Sequence, residues 1–247
     1  MTERAALVTG GSKGIGRACV EVFAAQGAQV AFTWHSDAQA AADLEAWAAQ
    51  AGHRVTGIRS DARDPAAYAP LRDAVRAFTG GRLDVLVNNA GDAIRRSSFA
   101  ASDDALWTDS LTLNLMSAVR ACHAFLDLLK ASKAGVVVNV SSIAAVTTGA
   151  GDSLHYGVAK AALDTFTKGL ARETDGGALR VVGVAPSAIA TDFQTRLSST
   201  ERLDRIIAQT PAGRIGTAEE VGAVIAFLAS PLAGYISGAI LPITGGR

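Results

Sequence analysis

The sequence contains few of the residues from which metal centres and disulfide frameworks are built. It has two cysteines and four histidines among 247 residues. Neither cysteine has a partner at metal-ligand or C-x-x-C spacing, and the histidines are scattered. Cys19 and Cys122 each lie within an apolar helical stretch, which favours small core residues over a disulfide or a metal ligand. We therefore expect no metal site.

An excess of charge and long apolar runs are also lacking. The sequence has 23 basic and 23 acidic side chains, so no net charge attracts nucleic acid or an anionic membrane surface. The apolar run at residues 223–229 is far shorter than the roughly 20 residues needed to span a bilayer. The polar start, Met1 to Arg4, lacks the apolar region of a signal peptide. We expect a cytoplasmic protein with no nucleic-acid or membrane partner.

Short β-rich apolar runs alternate with Ala-rich helical stretches along the whole sequence. This alternation is typical of β-α repeats that feed a parallel sheet covered on both faces. The predicted strands are 5–9, 29–33, 54–59, 84–88, 136–140, 181–185 and 239–243. The predicted helices are 15–26, 38–51, 66–78, 103–130, 155–174 and 218–229. We predict an α/β fold in which a doubly wound, seven-stranded parallel sheet forms a single domain over residues 1–247.

The longest segment without a periodic pattern covers residues 187–217. It has Pro211 and Gly213 near its end. Long irregular loops in compact domains usually serve a function. We predict that this segment is a lid over a substrate.

A glycine-rich turn follows the first predicted strand and precedes the first predicted helix. It reads Gly10-Gly11-Ser12-Lys13-Gly14-Ile15-Gly16. Glycines let the backbone approach a pyrophosphate, whose charge is stabilised by free N–H groups at the start of a helix. Its place between a strand and a helix favours dinucleotide binding over a plain tight turn.

Tyr156 and Lys160 are four residues apart in a predicted helix, so they share one face. A free phenol has a pKa of about 10. An ammonium about 4 Å away, at an effective dielectric constant of about 20, stabilises the phenolate by roughly 4 kcal/mol, or about three pK units. We therefore expect Tyr156 to titrate near physiological pH and to exchange a proton with a substrate oxygen.

Ser142 follows the strand predicted at 136–140, at the edge where parallel sheets bind ligands. Its hydroxyl is suited to bond a substrate oxygen on which charge builds up. Capping a turn or helix is the alternative, and the neighbouring Ser141 fits that role as well.

The glycine spacing resembles the T-G-x-x-x-G-x-G signature of the short-chain dehydrogenase/reductase family, classical type. Further family landmarks follow in order: Asn88-Asn89-Ala90-Gly91, Asn114, Ser142, Tyr156-Gly157-Val158-Ala159-Lys160, Ser237-Gly238 and Gly245-Gly246. The similarity covers the whole chain and extends to the 3-oxoacyl-(acyl-carrier-protein) reductases. It implies a Rossmann fold and an enzyme that transfers a hydride between a nicotinamide and a ketone, a 3-oxoacyl compound or a secondary alcohol.

The resemblance also implies roles for individual residues. Asn114, Ser142, Tyr156 and Lys160 are the expected catalytic residues, with Asn114 holding a water near Lys160; a surface role is the alternative for Asn114. An Asp at the position of Asp61 bonds the adenine amine in the family, although a helix cap is also open. The expected cofactor-binding residues are Gly10, Ser12, Lys13, Gly14, Ile15, Gly16, His35, Ser36, Asp61, Ala62, Asn88, Ala90, Gly91, Tyr156, Lys160, Pro186, Ser187, Ile189 and Thr191.

The choice between NADP(H) and NAD(H) depends on the end of the second strand. NAD-preferring sites usually carry an acid there, but this chain reads Thr33-Trp34-His35-Ser36. Lys13 and Ser36, with His35, are suited to hold a 2′-phosphate. We expect NADP(H) to be preferred and NAD(H) to be possible, since Asp37 could still turn inward.

The chain departs from the family pattern after the sixth strand. Val182 and Ser187 stand where the family usually has Asn and Gly, and Thr244 stands where an Asp is common. These changes leave the substrate open. Lys130 and Lys133 are candidate contacts for an acidic carrier protein, but Gly176-Gly177 occupies the place of a second base, so a small ketone is equally supported.

Two further expectations concern assembly and a competing function. Relatives of this fold usually form tetramers, so the resemblance implies a homotetramer. The alternative function is a non-catalytic dinucleotide-sensing or scaffold protein of the same fold. The retention of Ser142, Tyr156 and Lys160 speaks against it.

Overall fold

Seven parallel strands form one sheet in the order β3-β2-β1-β4-β5-β6-β7. The computed structural model describes residues 4–174 and 179–247, so Gly176 and Gly177 lie outside it. The strands are β1 (Ala5–Val8), β2 (Gln29–Trp34), β3 (Val55–Arg59), β4 (Val85–Asn88), β5 (Gly135–Val140), β6 (Leu179–Pro186) and β7 (Ile240–Ile243). Every predicted strand is present, and the predicted fold class is confirmed.

Helices flank this sheet. They are α1 (Gly14–Ala25), α2 (Ala38–Gln50), α3 (Tyr68–Thr79), α4 (Asp104–Leu111), α5 (Ser117–Ala131), α6 (Ala144–Thr147), α7 (Leu154–Glu173), α8 (Asp192–Leu197), α9 (Thr200–Ala208) and α10 (Ala218–Ala229). A π-helical turn, Thr112–Met116, joins α4 to α5. The helix predicted at 103–130 is therefore interrupted in its middle.

The strand sequences match their position inside the sheet. β1, β4 and β5 are buried along their whole length, as expected for strands covered by helices on both faces. One core cluster includes Cys19 of α1, and the second, separate cluster includes Cys122 of α5. Both thiols are buried and free, and burial raises the pKa of each to about 12. The prediction that they are core residues is confirmed.

The segment 187–217 is not the irregular loop that the sequence predicted. It contains α8 and α9. Ser199 caps α9 by accepting a hydrogen bond from the Arg202 amide at 3.3 Å, and Leu203 and Ile206 are half-buried at helical spacing. Both helices are shorter than ten residues, so their apolar pattern is too brief to stand out in the sequence.

Within residues 4–174 and 179–247, no helix combines the length and the apolar character needed to cross a membrane. The same residues hold no cluster of three or more His, Cys, Asp or Glu side chains suited to a metal ion.

Candidate active site

A cavity of about 580 Å³ opens at the carboxyl edge of the sheet. It lies beside the point where strand order reverses between β1 and β4, where open α/β sheets bind ligands. The glycine turn forms one wall, and residues of α8 and α9 line the other side. The segment between β5 and α7 supplies polar residues to the same cavity.

Close backbone packing explains the glycines of the turn. Gly10 has φ +64°, and a Cβ there would lie 3.1 Å from the Ala90 Cα. A Cβ on Gly16 would lie 2.3 Å from the Gly10 carbonyl oxygen and 2.6 Å from the Asn89 amide nitrogen. The turn therefore has no room for a side chain at Gly16, and Gly10 adopts a conformation that favours glycine.

Asn89 fixes this turn to the end of β4. Its Nδ2 donates hydrogen bonds to the carbonyls of Thr9 at 3.0 Å and Gly10 at 2.9 Å. The backbone amides of Asn89 and Ala90 both donate to Thr9 Oγ1 at 3.0 Å. This role of Asn89 was not predicted from the sequence, where the residue stands out only as part of the motif Asn88-Asn89-Ala90-Gly91.

Asn88, which the sequence assigned to the cofactor, points its side chain elsewhere. It is 5% exposed, and its Nδ2 donates to Asn139 Oδ1 at 2.8 Å inside the sheet. Successive strand residues face opposite sides, so only one of the two asparagines can face the turn. The side chain of Asn88 thus joins β4 to β5 and does not line the cavity.

The four predicted catalytic residues lie close together. Lys160 is 3% exposed, and its Nζ is 5.6 Å from the centre of the Tyr156 ring. A Cβ on Gly91 would lie 2.8 Å from Asn114 Oδ1 and 3.0 Å from Lys160 Nζ, so glycine lets these two side chains meet. Ser142 is close enough to Tyr156 for its hydroxyl to lower the pKa of the phenol.

The charge state of this group differs from the expectation. Removal of the Tyr156 phenol from water raises its pKa to about 12, and burial lowers the pKa of Lys160 to about 8. The Lys160 Nζ donates to the Val140 carbonyl at 2.8 Å, so its charge is directed at that oxygen. Desolvation therefore outweighs the attraction between the two side chains, and the expected neutral-range pKa of Tyr156 is not found.

Asn114 sits in the π-helical turn and is 1% exposed, so the surface alternative is wrong. Its Oδ1 accepts from the Asp92 amide at 3.0 Å, and its Nδ2 donates to the carbonyls of Asp92 at 2.8 Å and Ser110 at 3.0 Å. Such turns interrupt the regular hydrogen bonding of a helix and are frequent at functional sites. Asn114 thus anchors the loop after β4 beside Lys160.

Asp37 lies outside the lining of the cavity but pairs with Lys13, which belongs to that lining. Its carboxylate forms an ion pair with Lys13, and it caps α2 by accepting from the Ala40 amide at 2.9 Å. The Asp192 carboxylate lies 3.5 Å from the same Lys13 ammonium. The hydrogen bond from Lys13 to Asp37 raises the pKa of Lys13. The positive charge expected to attract a 2′-phosphate is therefore shared with two acids.

The predicted cofactor-binding residues divide into two groups. Those that line the cavity are Gly10, Lys13, Gly14, Ile15, Ser36, Ala90, Gly91, Tyr156, Lys160, Pro186, Ser187, Ile189 and Thr191. Those outside its lining are Ser12, Gly16, His35, Asp61, Ala62 and Asn88.

Asp61 does not cap the following helical turn, because Asp64 does so by accepting from the Ala66 amide at 2.9 Å. The Asp61 carboxylate instead accepts from the Arg63 amide at 2.9 Å and lies 3.5 Å from His35 Nε2. The cap alternative for Asp61 is thus wrong. A role toward adenine stays a prediction.

Two of the departures from the family pattern lie in different surroundings, Val182 within β6 and Ser187 directly after it. Val182 is fully buried in the sheet, so it serves the core. Ser187 lines the cavity, and its Oγ is buried with no hydrogen-bond partner in the part of the chain that the structure describes. Its hydroxyl is therefore available to a bound molecule.

Comparisons with known proteins agree with this arrangement. A family model described as Enoyl-(Acyl carrier protein) reductase matches residues 10–247. The chain is 39% identical over 243 residues to the 3-oxoacyl-(acyl-carrier-protein) reductase FabG of Escherichia coli, covering 98% of this chain and 96% of that protein. It is 36% identical to a tropinone reductase homolog of Arabidopsis thaliana, covering 98% of this chain and 91% of that protein. A short-chain dehydrogenase/reductase from Serratia marcescens superimposes with a TM-score of 0.92 at 32% identity, covering 99% of this chain and 98% of that one.

Proposed function

The chain belongs to the short-chain dehydrogenase/reductase family and is an NAD(P)-dependent oxidoreductase, and we propose that it prefers NADP(H) and reduces a ketone or 3-oxoacyl group. The reverse reaction is oxidation of the corresponding secondary alcohol. One observation carries the proposal: Ser142, Tyr156 and Lys160 line the same cavity as the glycine turn. A proton donor and a dinucleotide site are thereby brought together.

The cavity fits a nicotinamide dinucleotide. The glycine turn leaves no room for side chains and presents the start of α1, where a pyrophosphate is stabilised. Ser187 has an unpaired buried hydroxyl, and Thr191 packs against Gly14, where a Cβ would lie 3.1 Å from its Cγ2. These residues would hold the two halves of the dinucleotide. When bound, the dinucleotide supplies or accepts the hydride.

The side chains supply the proton and orient the carbonyl. The hydroxyls of Ser142 and Tyr156 donate hydrogen bonds to the carbonyl oxygen, which stabilises the negative charge that develops during reduction. With a pKa of about 12, Tyr156 carries its proton at neutral pH and is therefore an acid ready to donate. Lys160, with a pKa of about 8, is mostly protonated and returns a proton toward Tyr156. Asn114 keeps the loop after β4 against Lys160.

This charge state favours reduction at neutral pH. Oxidation of an alcohol requires Tyr156 to accept a proton, and the fraction of tyrosinate rises as pH approaches 12. We expect the oxidation rate to rise with pH across the alkaline range, while the reduction rate falls there. The published names of the relatives, reductases in each case, are consistent with that direction.

The preference for NADP(H) rests on the residues at the end of β2. Ser36 and Lys13 both line the cavity, and residues 34–36 include no acid. Asp37 is held at the start of α2 by the Ala40 amide, so a 2′-phosphate can replace it as the partner of Lys13.

The proposal extends to the lid, the assembly and the location of the protein. Residues 1–247 form one domain, in which residues 187–217 cover the substrate. The protein is a homotetramer and is located in the cytoplasm. The substrate is a small ketone or an acyl compound. Lys130 and Lys133 remain candidate contacts for a carrier protein; Gly176 and Gly177 lie outside the described residues.

The competing proposal is a dinucleotide sensor without chemistry. It requires that the cavity bind the dinucleotide while the proton donor serves no purpose. The presence of Ser142 and Tyr156 beside Lys160 in one cavity argues against it, because two hydroxyls aimed at a reacting oxygen serve proton transfer and a sensor has no use for them.

Replacing Tyr156 by phenylalanine tests the function. The variant keeps the ring but loses the proton donor, so we expect dinucleotide binding within about twofold of the wild type and turnover reduced by roughly a hundredfold or more. Nicotinamide absorbance with both cofactors against a ketone panel measures turnover, and fluorescence titration measures binding. Undiminished turnover would remove Tyr156 from the mechanism, and binding without turnover in the wild type would support the sensor.

A further inference from the structure

The lid side of the cavity carries more guanidinium groups than carboxylates. Arg96, from the loop after β4, and Arg196 and Arg202, from α8 and α9, all line it. Asp152 lies 2.8 Å from Arg96 Nη1 and 2.7 Å from Arg202 Nη1, and Asp92 lies 2.5 Å from Arg196 Nη2. Asp92 and Asp152 thus pair with these three guanidinium groups, while Asp192, which also lines the cavity, lies 3.5 Å from Lys13.

Arg96 is occupied in holding the lid. Besides its pair with Asp152, its Nε donates to the Leu197 carbonyl and its Nη2 donates to Ser198 Oγ at 3.3 Å. Leu197 is the last residue of α8, and Ser198 follows it directly. Arg96 therefore holds the end of α8, just before the helix that carries Arg202. Each of its three nitrogens already has an acceptor, so Arg96 has few donors left for a ligand.

Arg202 retains a hydrogen-bond donor for which the described part of the chain offers no acceptor. Its Nη1 donates to Asp152 at 2.7 Å, but its Nε is buried without a partner. A buried donor on a charged group is costly when it is left unpaired. Because Arg202 lines the cavity, a bound molecule with an acceptor at this wall meets its guanidinium, and a small turn of the side chain lets the Nε join that contact.

We propose that Arg202 binds a carboxylate of the substrate, so that the carbonyl substrate is a small oxo acid and its product a hydroxy acid. Adjacent N–H groups of a guanidinium point in parallel and match the two oxygens of a carboxylate. The inference rests on the proposed function, because Ser142 and Tyr156 must hold the carbonyl in the same cavity. It narrows that function, since a carboxylate offers the guanidinium two charged oxygens, whereas a neutral ketone or a thioester offers a single uncharged acceptor.

A matched set of substrates tests the proposal. Oxo acids with the carbonyl at increasing distance from the carboxylate are compared with their methyl esters, which keep the shape and lose the charge. At the best spacing, we expect the acid to exceed its ester in kcat/KM by tenfold or more, and its KM to rise with ionic strength. Equal kcat/KM values for acid and ester at every spacing would overturn the proposal.

Variants of α9 separate carboxylate binding from a structural role. Arg202→Gln is expected to raise the KM of the acid at least tenfold and to leave the ester within twofold. Arg205→Gln is the control, because Arg205 is exposed on the same helix and does not line the cavity. A loss of activity by Arg202→Gln that is equal for acid and ester, with no such loss in Arg205→Gln, would show that Arg202 only supports the lid.

A binding measurement distinguishes failure of this inference from failure of the proposed function. Calorimetry with a saturated, non-reducible carboxylate reports on Arg202 without turnover. Binding that is lost in Arg202→Gln and kept in Arg205→Gln supports the carboxylate site even if no ketone is reduced. Turnover of neutral ketones with no carboxylate binding supports the proposed function and rejects the site.

Discussion

Burial sets the chemistry of Tyr156 and Lys160 more strongly than their mutual attraction. Each side chain is shifted toward its neutral form, the phenol to a pKa of about 12 and the ammonium to about 8. The pair therefore begins as a protonated acid beside a cation that releases its proton readily. A protonated phenol beside a cation that can replace the lost proton is suited to deliver a proton to a newly formed alkoxide.

Because burying the Lys160 ammonium is costly, we predict that replacing Lys160 by methionine removes activity without lowering the free energy of unfolding. A pKa lowered from 10.5 to about 8 opposes the charged form in the folded protein by roughly 3 kcal/mol at pH 7. Loss of the hydrogen bond to Val140 offsets about 1 to 3 kcal/mol of this gain. We expect Lys160→Met to be no less stable than the wild type at pH 7 and to lose turnover.

The pH dependence of urea unfolding checks this explanation. Between about pH 8 and 10.5 the unfolded wild type binds the Lys160 proton more tightly than the folded one, so rising pH stabilises the wild type. The variant lacks this titration. Any advantage of Lys160→Met at pH 7 should therefore shrink by pH 10, and a variant less stable by a constant amount at both pH values would contradict the argument.

We expect Lys13 to determine the preference for NADP(H) over NAD(H). A charge-assisted hydrogen bond to a 2′-phosphate is worth about 1.5 to 3 kcal/mol, or roughly tenfold to a hundredfold in affinity. Lys13→Gln should lower kcat/KM for NADPH by at least tenfold and change the value for NADH by less than threefold. Steady-state kinetics with both cofactors measures the ratio, with the exposed Lys133→Gln as the control. Equal losses for both cofactors would assign Lys13 to the shared pyrophosphate instead.

The sequence predicts that Ser142, Tyr156 and Lys160 lie near the glycine turn, and the structure brings them into one cavity with it, but their surroundings could not be predicted. Tyr156 and Lys160 were found because helical spacing is a local property. The pKa of Tyr156 was not, since desolvation depends on segments far away in the chain. Strand alternation predicts that Asn88 and Asn89 face opposite sides, yet which of them faces the turn depends on how β4 packs.

At the scale of elements, the glycine turn is the most sharply specified part of the fold. We predict that Gly16→Ala weakens dinucleotide binding at least tenfold and lowers stability by about 1 to 3 kcal/mol, because the added Cβ meets the Gly10 carbonyl at 2.3 Å. Thermal melting and fluorescence titration measure the two effects.

Gly169→Ala is the matched control for that substitution. Gly169 lies within α7, and an added Cβ there has nothing within 4 Å. Alanine in a helix interior is favoured over glycine by about 0.5 to 1 kcal/mol, so this variant should melt slightly higher and bind the dinucleotide normally. If both variants behaved alike, the close packing at Gly16 would not be the cause.

Elements were predictable where burial on both faces leaves an uninterrupted apolar run and not where tertiary contacts complete or interrupt the pattern. The buried strands stand out because both faces are covered, so almost every residue is apolar. The helix expected at 103–130 has a continuous pattern, and only the buried Asn114 marks the π-helical turn inside it. α8 and α9 replace an expected loop because their brief patterns are completed by contacts to Arg96 and Asp152.

For the molecule as a whole, four exposed apolar side chains fall within residues 227–241, the part of the chain that leads from α10 into the edge strand β7. Among the described residues, Leu241 of β7 is 41% exposed and Phe227 of α10 is 44% exposed, with Leu232 and Tyr235 exposed between them in sequence. β7 is also an edge strand, whose outward N–H and C=O groups are free to pair. A second copy of the chain would cover both features.

We therefore predict that Leu241→Glu reduces the size of the assembly. A buried carboxylate at an interface is costly without a partner, so the variant should shift from the proposed tetramer toward smaller species, as measured by sedimentation or light scattering. Val146→Glu is the control, because Val146 is 73% exposed and lies in α6, which follows β5 and not the edge strand β7. An unchanged assembly in Leu241→Glu would place the interface elsewhere, and a monomeric wild type would show that the β7 edge is protected by the chain alone.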